Sequence, residues 1–142
     1  MRKILGLLGL LIGLIAAACV YEAYAHETIR FLTTSNIRNI LPLIGFFGIL
    51  SLGQAFVIIT GGIDLSIGSV VALVGIVTAI LLREAGWPPV LAIACTLSMA
   101  AAIGAWHGLL VTKGRIQPFV VTLCGLFFYR GLARLITKDV TR

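Results

Sequence analysis

Charge is scarce in this sequence: 11% of its 142 residues are Asp, Glu, Lys or Arg, and five of those are acidic. Soluble globular domains carry about 25% charged and about 45–50% apolar residues. Here the apolar share is 60% and the mean hydropathy +1.12, which excludes a soluble domain and indicates an integral membrane protein. The two histidines, His26 and His107, are far apart and there is no acidic pair, so no acid–base or metal constellation is expected. Cys19, Cys95 and Cys124 fall in three different apolar runs without CxxC spacing, which argues against a disulfide framework or a metal site. They are expected to be small buried hydrophobes. Lys3, Lys113 and Lys138 follow Arg, Thr and Thr, so no GxxxxGK phosphate loop exists and any ATP must be hydrolysed by another chain. Nothing calls for a cofactor. The formal charge is +6, but the basic residues are scattered at the ends of apolar runs rather than gathered on an aromatic-studded face, which argues against nucleic acid.

What remains is long apolar runs. A transmembrane helix needs about 20 apolar residues, with roughly 17–25 usual. Residues 4–24, 37–59, 67–82 and 90–111 meet or approach that length. A fifth run, 119–136, is cleanly apolar to Tyr129 and then carries Arg130 and Arg134, which makes it the least secure span. Arg2 and Lys3 ahead of residues 4–18 have the look of a secretory signal, and Ala16-Ala17-Ala18-Cys19 that of a lipoprotein cleavage site. The residue three before Cys19 is Ala16 rather than a large aliphatic, and further spans follow; both favour an uncleaved first helix. The expected fold is all-α, a polytopic membrane bundle of about four to five transmembrane helices in one domain over residues 1–142.

The connections are short, as helical bundles prefer. Residues 22–36 form the longest, 83–89 contain Gly86 and the Pro88-Pro89 stop, and 112–118 carry Lys113 and Arg115. Lys and Arg in short loops favour the cytoplasm, so Arg2 and Lys3 place the N-terminus inside, the Arg83 loop outside and the Lys113/Arg115 loop inside. A fifth full span then strains the rule by delivering Arg130, Arg134, Lys138 and Arg142 outside. Trp87, Tyr21 and Tyr24 at span ends read as interfacial aromatics. Small residues four apart let membrane helices approach closely. Such pairs occur at Gly9 and Gly13, at Gly68 and Ala72, and along Ala100, Gly104 and Gly108.

One polar phrase interrupts the apolar sequence: TGGIDLSIGS, residues 60–69, with Asp64 between runs that hold no charge. An unpaired carboxylate at membrane depth costs about 2.5–3.5 kcal/mol on insertion scales. Irregular backbone there must be buried in protein or line a wet cavity. Two compatible readings follow. In one, Gly61 and Gly62 end a helix and Asp64 is the N-cap of the next, its carboxylate on the amides near Ser66 and Ile67. In the other, the break lines a translocation route, with Gln54, Thr60, Asp64 and Ser66 offering polar groups to a polar substrate. Arg130 is a second candidate, since intramembrane charges mostly face bundle interiors or cavities; snorkelling to the interface is its other reading. His107, beside Trp106, reads as a helix-contact or interfacial group rather than a proton shuttle.

The stretch SLGQAFVIITGGIDLSIGSVVALVGIVTAILL, residues 51–82, closely resembles the signature region of permease subunits of bacterial ATP-binding-cassette (ABC) sugar importers, the ribose, xylose, galactose and autoinducer-2 branch. GLLVTKGRIQPFVVTL, residues 108–123, and YRGLA, residues 129–133, look like the next two family blocks. Three positions depart from the pattern: His107 where relatives mostly carry Asn, Gln117 where a second Pro is common, and Cys124 where Gly is usual. Family permeases are about twice this length, so the resemblance implies the N-terminal part of a permease domain, a fragment or truncated frame without the segment that docks the ATPase.

The resemblance further implies a permease in the bacterial plasma (inner) membrane that works by alternating access. Its expected partners are a second permease chain, ABC ATPase subunits, an extracytoplasmic sugar-binding protein and the lipid bilayer. The alternative is an ion-coupled secondary carrier or channel using Asp64.

Overall fold

The computed structural model describes residues 2–26 and 33–137. Five helices follow one another: α1 Arg2–His26, α2 Thr34–Ile59, α3 Ile67–Arg83, α4 Pro89–Thr112 and α5 Pro118–Ile136. No strand occurs among the described residues. The all-α, polytopic expectation therefore holds. Part of the connection at 22–36 (residues 27–32), together with Lys138 and Arg142, lies outside the described residues.

Four helices are long and apolar enough to cross a membrane, Lys3–Ala25, Thr34–Ile59, Pro89–Thr112 and Pro118–Ile136, and the shorter one is Ile67–Arg83. The 119–136 run thus has the length to cross, though it is the least apolar of the four, and the 67–82 run is the one that falls short. The 119–136 run is one uninterrupted helix through both arginines, because Arg is a good helix former and position decides only where its charge goes. The 67–82 run gives 17 residues, roughly 26 Å at 1.5 Å per residue, against a hydrocarbon core of about 30 Å.

The chain falls into two compact units, Met1–Ser51 and Leu52–Arg142. The first holds α1 and the first part of α2. Its apolar side chains are turned outward: Leu7 is 74% exposed and Ile49 73%. Pro42 lies inside α2 without ending it.

The second unit holds the end of α2 and helices α3, α4 and α5. Its most extensive packing is α3 on α5, followed by α3 on α4 and α4 on α5. Leu73 of α3 meets Tyr129 and Ala133 of α5 in a small core, edged by Val77, Met99 and Ile103. From α4, Ala92 and Thr96 are buried, and His107 reaches the Tyr129 hydroxyl at 2.9 Å. His107 is therefore a helix-contact group, as its position in the sequence suggested.

Two expectations are corrected here. Cys95 and Cys124 are exposed and Cys19 is half-buried. The small-residue stripes are also open. A Cβ built at Gly9, Gly13, Gly68, Gly104 or Gly108 meets nothing within 4 Å. The close approach of α4 and α5 instead runs through Gly125, where a Cβ would lie 2.8 Å from the His107 ring and 3.1 Å from Tyr129 Cε2.

Gly125→Ala should displace the His107 ring, break its bond to Tyr129 and destabilise the chain by about 1–3 kcal/mol, the usual range for overpacking. Thermal unfolding in detergent measures the loss. In a His107→Ala background the same change should cost almost nothing, since the obstructing ring is gone; an undiminished cost would refute the contact.

Candidate helix-break site

α2 ends where its sequence says it must. Thr60 folds its hydroxyl back onto the main-chain oxygen of Val57 at 2.8 Å. Gly61 then takes φ +76°, a conformation that costs a glycine little and other residues more. Its N–H donates to the Ile58 oxygen and that of Gly62 to the Val57 oxygen, both at 2.9 Å. This pair of bonds is the Schellman closure, which satisfies carbonyls that a helix end otherwise leaves bare. Gly62 is held to small size as well, because a Cβ there would come 3.1 Å from Val57 Cγ1.

Residues 62–66 are irregular and α3 begins at Ile67. Asp64 Oδ1 accepts two hydrogen bonds at 2.7 Å, one from the Ser66 N–H and one from the Ser66 hydroxyl. The N-cap of α3 is Ser66, not Asp64. Asp64 stands two residues further out and makes a tight Asx-type turn, and the Ser66 hydroxyl, given to that carboxylate, caps nothing itself. The negative charge is still within a turn of the helix N-terminus, where it suits the macrodipole. Ser66 is 2% exposed, and its carbonyl accepts from Val70 N–H at 2.9 Å and from the Ser69 hydroxyl at 2.7 Å.

Two longer-range contacts hold the break in place. From α5, the Thr122 hydroxyl lies 3.0 Å from the Ile63 oxygen and 2.9 Å from the Pro118 oxygen, sharing one proton between them. From the end of α2, Gln54 Nε2 donates to the Asp64 main-chain oxygen at 3.4 Å, while its Oε1 is buried without a hydrogen-bond partner. The break is therefore level with the first turn of α5.

Gln54, Thr60, Gly61, Gly62, Asp64 and Ser66 are thus brought together. Arg130 is not among them. It lines a separate groove between α3 and α5 with Ser69, Ala72 and Arg134. Thr122 was missed from sequence; a threonine four residues after a helix-opening proline carries no signal for a partner 59 residues earlier.

Residues 36–142 match the family model described as the permease component of a branched-chain amino acid transport system. The chain is 43% identical over 109 residues to the inner membrane ABC transporter permease protein YjfF of Escherichia coli K12, covering 77% of this chain and 33% of that protein. It is 40% identical over 111 residues to the xylose transport system permease protein XylH of the same organism, covering 78% and 28%. With its ribose import permease protein RbsC it shares 41% over 127 residues, covering 89% and 39%. The chain thus spans about a third of the length of these curated relatives. No solved structure matches it.

Asp64→Asn retains a side-chain oxygen for the Ser66 donors and should stay within about 1 kcal/mol of the parent, whereas Asp64→Leu strands an amide and a buried hydroxyl and should cost about 2–4 kcal/mol. Thermal unfolding of the two variants in one detergent checks the order. Asn as costly as Leu would show that the charge, not the hydrogen bonds, holds the turn.

Proposed function

Because the chain belongs to the family of permease components of the branched-chain amino acid transport type, we propose that it forms part of the translocation pathway of an ATP-driven ABC importer for a monosaccharide such as ribose or xylose. The observation that carries this reading is where the similarity falls. The 36–142 match contains the whole break and every helix of the second unit, and two of the relatives named above, XylH and RbsC, are xylose and ribose permeases by their own names. The sugar is preferred to an amino acid on that ground.

The break suits such a substrate. A pentose presents hydroxyl donors and carries no charge, so its pathway calls for acceptors held at fixed positions rather than for a counter-ion. Gln54 Oε1 is a buried acceptor with nothing to accept from, and a passing sugar hydroxyl would satisfy it. Thr60 and Ser66 hydroxyls are engaged inside the break, which leaves Gln54 Oε1 as its buried acceptor without a partner. An ion-coupled carrier would need the Asp64 carboxylate for its ion, yet Oδ1 already accepts both Ser66 donors.

The chain is a multi-pass inner-membrane protein, with its N-terminus assigned to the cytoplasm by Arg2 and Lys3. Membership of the permease family supports the other parts of the importer. Two ATPase subunits supply nucleotide hydrolysis, an extracytoplasmic binding protein delivers sugar, and a second permease chain completes the path. In alternating access the break is the element that exposes its acceptors first to one side and then to the other.

Reconstituted in its complete length with its ATPase and binding protein, the importer should accumulate pentose only with ATP inside and binding protein outside, and collapsing ion gradients should leave the initial rate nearly unchanged. The purified chain alone should hydrolyse no ATP. Uptake driven by a proton or sodium gradient without ATP would replace this reading with the carrier.

A further inference from the structure

The groove between α3 and α5 has a cation pair at one end and little else that is polar. Gly68, Ala72 and Ile76 line it from α3, and Leu126, Arg130 and Arg134 from α5, around a cavity of about 480 Å³. Arg130 and Arg134 are four residues apart and so share one helix face. No acidic side chain lines the groove. The Ser69 and Thr137 hydroxyls that also reach it already donate to the oxygens of Ser66 and Ala133, so the two guanidiniums are its available donors. Toward the other end the walls are apolar and low: Ala72 is exposed, and a Cβ at Gly68 would meet nothing within 4 Å.

The depth fits a headgroup. α5 has 19 residues, about 28 Å of helix, close to the hydrocarbon thickness of about 30 Å. Arg134, in its last turn, then stands at headgroup level, and Arg130, one turn deeper, is within snorkelling reach. A second groove continues past the end of the first, sharing Ile76 and Thr137 and adding Arg83 and Glu84, whose charges cancel, so the net charge of the two grooves is that of Arg130 and Arg134.

We propose that this groove is a binding site for an anionic phospholipid, with the phosphodiester on Arg130 and Arg134 and one acyl chain lying along Gly68, Ala72, Ile76 and Leu126. Guanidinium forks match phosphate oxygens geometrically, and basic pockets between membrane helices are where anionic headgroups settle. Polarity confined to one end, with an open slot running inward from it, matches a lipid's shape. A carboxylate-bearing protein helix would instead leave one of the two cations unpaired.

The test is native mass spectrometry of the purified chain in neutral detergent, titrated separately with dioleoyl phosphatidylglycerol, dioleoyl phosphatidylcholine and inorganic phosphate. Phosphatidylglycerol should bind more tightly than phosphatidylcholine, and Arg130→Gln and Arg134→Gln should each weaken it by about fivefold, one basic residue's share at an anionic surface. Phosphatidylcholine binding should not move. Arg134→Gln, at an exposed position in the last turn, keeps the test valid if Arg130→Gln loses helicity. The double Arg→Lys variant should retain part of the preference. Equal binding of the two lipids, or an undiminished preference without either arginine, would overturn the proposal and leave the groove to a protein helix. Displacement of phosphatidylglycerol by phosphate at matching concentration would also overturn it, by showing a free-anion site.

Discussion

Every peptide group in residues 60–66 needs a hydrogen-bond partner that water supplies to a soluble loop and that hydrocarbon does not. Each buried group left bare costs several kcal/mol, so the break survives where the protein itself or a wet cavity answers for it. The protein does so locally on both sides. Gly61 and Gly62 close α2 with two main-chain bonds, and Asp64 opens α3 with two bonds to Ser66. The rest of the second unit depends on that closure. The turn at Ser66 starts α3, and Thr122 ties the start of α5 to the Ile63 oxygen. With those two helix starts set side by side, Leu73 meets Tyr129 and Ala133 further along, and Tyr129 in turn fixes His107 of α4.

This arrangement changes what Asp64 means chemically. A bare carboxylate in an apolar run suggests an ion site, and the observed one is spent in part on holding a turn. Its partner Ser66 is almost wholly buried, while the carboxylate itself is half-buried. The unsatisfied group at the break is instead Gln54 Oε1.

How far the sequence reveals this follows the range of each interaction. The TGG phrase reads correctly as a helix end, and the following Asp-Leu-Ser as a helix start, since both are settled within a few residues. Even there the register slips: Asp64 looks like the N-cap, and Ser66 holds that position. Long-range partners are invisible beforehand. Nothing near Thr122 announces Ile63, and nothing near Gly125 announces the His107 ring packed against it. The small-residue stripes mislead for a related reason. Gly104 and Gly108 are spaced for helix contact, but α4 meets its neighbours through Ala92, Thr96 and His107. Charge is a poor guide to the spans as well, because α5 runs through Arg130 and Arg134 without interruption.

The central claim is that the break faces an aqueous route in the working importer. Cysteine accessibility tests it most directly. With Cys19, Cys95 and Cys124 replaced, Ile63→Cys and Leu65→Cys are placed in the break and Ile49→Cys, an outward-facing residue of α2, serves as the control. A membrane-impermeant methanethiosulfonate reagent is applied to membranes carrying the assembled importer. The two break cysteines should react, at rates that change when ATP is supplied, while the control stays unlabelled. Break cysteines as unreactive as Ile49→Cys, with and without ATP, would contradict the account by placing the turn in lipid or in closed protein.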